Sequence, residues 1–194
     1  MPRSSRRDEI LSALALMLEQ QPGSRITTAA LAGAVGVSEA ALYRHFPSKA
    51  RMFDGLIDFV EESLFPRIGR LSQEQPDPLL RCGELLRLLL LFAEKNPGFA
   101  RLLIGDALQG EHARLRVRVR QIFDRFETEL RSWLREWSLT RVPAPQASPA
   151  TLASLLLAVA EGRISQFVRS EYQTRPSQNW DEHWRLTLQA VANA

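Results

Sequence analysis

The sequence predicts an all-α protein in two parts, an N-terminal three-helix domain over residues 1–47 and a larger helical domain over residues 48–194. Three observations carry this. Apolar residues recur at i, i+3, i+4 and i+7 along most of the chain, the period of a one-sided helix. No stretch alternates apolar and polar residues as a half-buried strand does. Between Thr27 and Phe46 two short helical patterns meet at Gly36, the layout of a helix-turn-helix.

The elements follow in order. Ile10, Leu11, Leu14, Met17 and Leu18 make one face of a first helix, capped by Ser4 or Ser5 and ended by Gln21-Pro22-Gly23. A second helix starts at Thr27-Thr28 and runs to Val35. A third covers Ser38 to Phe46 and is stopped by Pro47. Ser48 is placed to cap a long fourth helix, whose stripe is Met52, Phe53, Leu56, Ile57, Val60, Leu64 and Ile68. Gln73 to Pro78 reads as a loop. A fifth helix, Leu79 to Glu94, is apolar nearly all round from Leu85 to Phe92 and is expected deep in the core. Asn96-Pro97-Gly98 reads as a sharp turn before a short helix, Phe99 to Leu108. A seventh helix spans Glu111 to Leu139 on the stripe Leu115, Val119, Ile122, Phe126, Leu130, Trp133 and Trp137. The Pro-rich run Val142 to Pro149 leads to an eighth helix, Thr151 to Tyr172. A ninth follows Arg175-Pro176 and carries Trp180, Trp184, Leu188 and Val191.

Composition narrows the function. The chain has 194 residues, 45% of them hydrophobic and 24% charged, which is globular composition. One cysteine, Cys82, excludes an internal disulfide framework and suits a reducing compartment. The N-terminus lacks the pattern of a signal peptide, and no run of 18 apolar residues is present, so a cytoplasmic protein is expected, with no membrane partner. Net charge is +3, and nearly all the positive charge is arginine; that permits nucleic-acid binding without demanding it. Arg3, Arg6 and Arg7 are expected on a loose N-terminal arm. No GxGxxG, P-loop, HExxH or nucleophile elbow is present, so no enzyme and no cofactor are expected.

The three short helices hold the chemistry. Ala32 is small where two helices cross, Gly36 can take the left-handed backbone, and Leu31, Val35, Val37 and Leu42 supply the apolar seam. The plain alternative is an ordinary helical hairpin. Leu42 and Phe46 are expected to face inward, leaving Glu39, Ala40, Tyr43 and Arg44 toward a major groove. Ser38 caps this helix and its backbone end can face phosphate. Thr27, Thr28 and Lys49 can donate to phosphate oxygens. Tyr43 can touch backbone or a thymine methyl, and Arg44 either backbone or base edges. His45 reads as a structural or phosphate-contacting histidine, since His112 and His183 make no ligand spacing with it.

The run ITTAALAGAVGVSEAALYRHFPSK, with the helices around it, resembles the TetR-type regulators. DEILSALALMLE, EKNPG and GRISQFVRSEY followed by RP resemble the nucleoid-occlusion branch of that family, over nearly the whole chain. The resemblance implies a TetR-like fold with a C-terminal dimerisation domain. It implies a homodimer that binds double-stranded DNA at chromosomal palindromes, several dimers to a site being possible, and that acts on the tubulin-like division protein FtsZ. Departures fall in the arm before Asp8, at Gln73 to Gly83, at Gly105 to Arg118 and at Val142 to Pro149.

Two surfaces are expected on the larger domain. Leu155, Val159, Gly162 and Phe167, with Trp180, Trp184 and Leu188, are candidates for a two-fold four-helix interface; the alternative is intrachain core. Glu161 and Arg163 read as a charge pair. The apolar fifth and seventh helices favour a filled core over a polar effector cavity, the feature that a ligand-responsive repressor would need. An exposed apolar strip flanked by cations suits a partner segment with hydrophobic and acidic residues. The residues that the branch uses for the FtsZ C-terminal tail match Phe59, Arg67, Leu88, Lys95 and Asn96. Lys95 stands for an arginine, which keeps the charge and loses a bidentate contact. Leu91 stands where a relative has glycine.

Overall fold

The computed structural model describes residues 5–142 and 145–192. Arg3 and Ser4, and Pro143 and Ala144 of the Pro-rich connection, lie outside the described residues. The chain forms α1 (Arg6–Gln20), α2 (Thr28–Val35), α3 (Glu39–His45), α4 (Lys49–Glu74), α5 (Pro78–Lys95), α6 (Pro97–Leu103), α7 (Ala113–Leu139), α8 (Pro149–Arg169) and α9 (Trp180–Ala192), with a 3-10 turn at Asp106–Leu108. No strand occurs among the described residues, as an all-α fold requires. Two compact units result: Met1–Glu62 with Asn96–Val119, and Ser63–Lys95 with Arg120–Ala194.

In the first unit, the Ser5 hydroxyl accepts from the Asp8 N–H at 3.2 Å, and the Asp8 carboxylate accepts from the Ser5 N–H at 3.1 Å. This reciprocal cap starts α1 ahead of Arg6 and Arg7, so both lie in its first turn and not on a loose arm. Ile10, Leu14, Met17 and Leu18 are buried. At the other end of α1, the buried Arg101 guanidinium donates to the carbonyls of Leu18 at 2.6 Å and Gln21 at 2.9 Å, and to Asp106 at 2.5 Å. Helix-terminal carbonyls lack intrahelical donors, and Arg101 supplies them.

The expected sharp turn at Asn96-Pro97-Gly98 is instead the start of α6, with Asn96 at its N-cap and Pro97 in its first turn, where a missing N–H costs nothing. Gly98 is there for space: a Cβ on it would overlap the Ala15 carbonyl oxygen of α1. At Gly55 a Cβ would come within 2.9 Å of a Leu11 methyl, so α4 also approaches α1 closely. Buried Asp54 on α4 accepts from Arg114 at 2.7 Å and Arg118 at 3.3 Å on α7. Arg118 reaches Asp58 and Glu61 at 2.8 Å each. Burial pulls the Arg118 guanidinium down, but Asp58, Asp54 and Glu61 outweigh it and hold it above its ordinary range.

In the second unit, α5 buries Cys82, Leu85, Leu86, Leu89, Leu90, Phe92 and Ala93. It is not buried all round: Leu88 and Leu91 are half-buried and Arg87 is exposed, which opens one side of a helix expected deep in the core. Burial pushes the Cys82 thiol up to about 12, against the pull of Arg81. Ile122, Phe126, Leu130, Trp133 and Trp137 of α7 are buried, and Phe65 meets Phe126 at 5.3 Å.

The Ser148 hydroxyl caps α8 by accepting from the Thr151 N–H at 3.1 Å. The helix ends before the expected Tyr172 because Glu171 and Tyr172 take φ of 50° and 69°, outside the helical region. By length and composition alone α8 could cross a membrane, the one such helix among the described residues; its stripe Leu152, Leu156, Leu157, Ala160, Ile164 and Phe167 is buried within the unit. Arg163 donates to the carbonyls of Pro176 at 2.5 Å and Gln178 at 2.6 Å, and lies 2.7 Å from His183 Nδ1. It fixes the turn that delays α9 until Trp180. The Glu161–Arg163 pair is therefore not formed.

Candidate nucleic-acid interface

Local chemistry builds the α2–α3 unit. The Thr27 hydroxyl accepts from the Ala30 N–H at 3.1 Å and begins α2. Gly36 closes it in the left-handed region, φ 71° and ψ 37°. There the Gly36 N–H donates to the Gly33 carbonyl at 3.2 Å and the Val37 N–H to Ala32 at 3.0 Å, the paired bonds of a glycine helix stop. The Ser38 hydroxyl then accepts from the Ala41 N–H at 3.2 Å and begins α3. Of the expected seam, Leu31 and Leu42 are buried while Val35 and Val37 are only half-buried; Ala32, at the crossing, and Phe46 are buried with them.

Burying Leu42 and Phe46 turns the rest of α3 outward. Glu39, Ala40, Tyr43, Arg44 and His45 are exposed, with Tyr43 at 42%. Thr27 and Ser38 are exposed at the two helix starts, and Thr28 is half-buried. Three of these residues form a chain across the turn. The Tyr43 hydroxyl donates to Thr28 Oγ1 at 3.4 Å, and Thr28 donates to Glu39 Oε2 at 2.7 Å. Thr28 thus gives its one proton to Glu39, and the expected donation from Thr28 to phosphate is replaced by an internal bond. Thr27 differs, because its oxygen serves the cap and its O–H is left to donate outward.

Two cations are placed otherwise than their sequence position suggests. Lys49, expected to reach phosphate, has its ammonium 2.5 Å from Glu111 Oε1; its side chain is 19% exposed and that of Glu111 9%. Arg7 lies with its guanidinium 4.4 Å from the Phe46 ring centroid and donates to the His45 carbonyl at 3.4 Å. It braces the end of α3 from α1. Neither partnership has a local sequence signal, because the partners are far apart along the chain. No metal-binding group that includes His45 occurs among the described residues.

The remaining candidates are placed as follows. Phe59, in the first unit, is 45% exposed, with its ring 5.0 Å from that of Phe99; Asn96 is half-buried. In the second unit Arg67 and Lys95 are exposed and Leu88 is half-buried. Leu91, with Arg87, Trp180 and Arg185, lines an open depression of about 360 Å³. Leu155 is 53% exposed, Gly162 is exposed, and Val159, Trp184 and Leu188 are half-buried. Phe167 and Trp180 are corrected to intrachain core: both are buried, Phe167 against Tyr172 at 5.2 Å and Trp180 against Trp184 at 5.9 Å. Trp184 itself lies over Gly83, where a Cβ would come 2.5 Å from the indole. Leu155, Ala158 and Gly162 are on the exposed side of α8, together with polar residues such as Ser154, Glu161 and Gln166.

Comparison with known proteins places both regions. Residues 10–56 match the family described as bacterial regulatory proteins, tetR family, and residues 76–191 match a tetracyclin repressor-like C-terminal domain of the SlmA-like type. Among curated proteins, the nucleoid occlusion factor SlmA of Shewanella woodyi is 61% identical, and that of Shewanella pealeana 57%, each over 98% of this chain and 96% of the relative. Among solved structures, the MbdR regulator from Azoarcus sp. CIB shares the fold at a TM-score of 0.81 and 16% identity, over 95% of this chain and 97% of that one.

Proposed function

Because the chain belongs to the SlmA-type nucleoid occlusion factors of the TetR family, we propose that it is a DNA-bound inhibitor of cell division. As a homodimer it reads chromosomal palindromes, and from there it antagonises assembly of the FtsZ ring over the nucleoid. It acts by binding, without catalysis or cofactor, in the cytoplasm at the nucleoid. The observation that carries this reading is the outward face of α3: a capped helix whose inner side is Leu42 and Phe46 and whose outer side is Glu39, Ala40, Tyr43 and Arg44. Dimers that place two such helices about one helical turn apart match palindromic half-sites. The exposed Leu155, Ala158 and Gly162 of α8 supply a surface on which a second copy can seat closely.

The FtsZ tail is assigned to Phe59, Arg67, Leu88, Leu91, Lys95 and Asn96. Within the second unit, the exposed cations Arg67 and Lys95 and the half-buried Leu88 and Leu91 support this, since apolar and cationic side chains suit a segment with apolar and acidic ones; within the first unit, the Phe59 ring is 45% exposed. Light scattering of assembling FtsZ tests the function. Inhibition by this protein that grows when a palindromic duplex is added is the expected result. Unchanged assembly with the duplex bound rejects the division role.

A further inference from the structure

Glu39 is an acid on a surface built to meet an anion. It is the first residue of α3, it is exposed, and it shares the outward face with Ala40, Tyr43 and Arg44. An ionised carboxylate only accepts hydrogen bonds. The DNA backbone has no proton to give it: phosphate oxygens are acceptors of the same charge, and deoxyribose lacks the 2′-hydroxyl. In the major groove the donors are the exocyclic amines, N4 of cytosine and N6 of adenine. Adenine sets the N7 lone pair beside N6, where the second carboxylate oxygen would be repelled. Cytosine N4 has an acceptor on one side only, O6 of the paired guanine, and the C5–H on the other, whereas adenine N6 lies between N7 and the thymine O4. An acceptor-only side chain on a recognition helix therefore fits cytosine.

The carboxylate is also held ready. Oε2 accepts from the Thr28 hydroxyl at 2.7 Å, and Thr28 is in turn fixed by the Tyr43 hydroxyl at 3.4 Å. Thr28 belongs to α2 and the other two to α3, so the chain spans the Gly36 turn. Oε1 has no hydrogen-bond partner among the described residues, and the residue is exposed. One oxygen tied and one free means that the side chain loses little freedom when a base arrives.

The geometry points to Glu39 as the residue that selects cytosine at one position of each half-site, with Thr28 and Tyr43 as positioning residues. This deepens the DNA-reading proposal and rests on it.

The test is selection from a pool of duplexes with randomised palindromic half-sites, using the full-length parent, Glu39→Gln and Thr28→Val. The parent is expected to require cytosine at one position per half-site. Glu39→Gln loses that preference by about tenfold or more, and moves toward adenine, whose N6 and N7 a carboxamide can read together. Thr28→Val keeps cytosine as the preferred base but narrows the preference, whereas a merely structural role would weaken all sequences alike. A Glu39→Gln profile identical to the parent overturns the assignment. So does uniformly tighter binding to every duplex, which would mean that the carboxylate only repels the backbone. A parent that selects no sequence at all instead rejects the DNA-reading proposal.

Discussion

The Lys49 ammonium sits 2.5 Å from Glu111 Oε1, 62 residues away in sequence, with both side chains mostly withdrawn from water. The pair holds the start of α4 to the segment before α7, and it occupies the cation that stands next after the recognition helix. Lys49→Ala leaves the Glu111 charge without its partner and is expected to cost on the order of 2 kcal/mol of stability. Glu111→Gln loosens the same contact but frees the ammonium. The slope of log affinity for DNA against log salt is then expected to steepen by about one, the signature of one added phosphate contact. Thermal melts and salt titrations of both variants check this; an unchanged salt slope in Glu111→Gln would mean that Lys49 stays away from DNA even when free.

Gly98 answers to a different constraint, the approach of α6 to α1. A methyl there has nowhere to go, because the Ala15 carbonyl oxygen of α1 occupies its place and backbone cannot swing aside as a side chain can. Gly98→Ala is expected to destabilise the protein by about 1–3 kcal/mol, read as a lower denaturant midpoint with an unchanged slope. Gly33→Ala is the control. It lies inside α2 with open space around it, and alanine there is expected to be neutral or stabilising by about 0.5–1 kcal/mol.

Leu155 and Gly162 are exposed on α8, so substitutions there leave the packing within the chain untouched. Leu155→Arg or Gly162→Leu is expected to halve the mass seen by sedimentation at micromolar protein while the circular dichroism stays helical. Affinity for a full palindrome then falls far more than affinity for a half-site. A mass that stays that of the parent in both variants would move the interface off this face.

Glu161 provides a pH test. Its carboxyl is partly withdrawn from water by its surroundings and repelled by Glu127, and both raise its pKa above the ordinary 4.5. A carboxyl raised in the folded state binds its proton more tightly folded than unfolded. Its contribution to stability is therefore best at low pH and is lost as pH rises from about 4.5 through the raised folded value. Glu161→Gln is expected to raise Tm relative to the parent at pH 7, with the gain shrinking as pH falls toward 4.5. A pH-independent difference would mean that charge is not the cause.

Much of this was legible in the sequence because it is local. Helix periods gave the stripes of α1, α4 and α7. The offsets of Ala32, Gly36 and Leu42 gave the helix-turn-helix, and the inward pair Leu42 and Phe46 gave the outward face of α3. Caps at Ser38 and Ser48, and at Ser5 as one of two candidates, follow from residue type and position; Thr27 reads only as a phosphate donor until its cap is seen. What stayed hidden depends on residues distant in sequence. Lys49 reads as a phosphate ligand until Glu111 is beside it, and Arg7 reads as an arm until it lies on Phe46. Phe167 and Trp180 read as interface because apolar periodicity does not say whether the partner is the same chain. Gly98 reads as a turn because a sequence shows a missing side chain without showing what fills its place.

The central claim is that a DNA-reading dimer also holds the FtsZ tail. Fluorescence anisotropy of a labelled FtsZ C-terminal peptide, titrated with the protein with and without a palindromic duplex, tests it most directly. Saturable binding is predicted, weakened about tenfold or more by Phe59→Ala and by Arg67→Ala while both variants keep the parent's affinity for the duplex. No saturable binding in either condition, with the duplex still bound tightly, would contradict it.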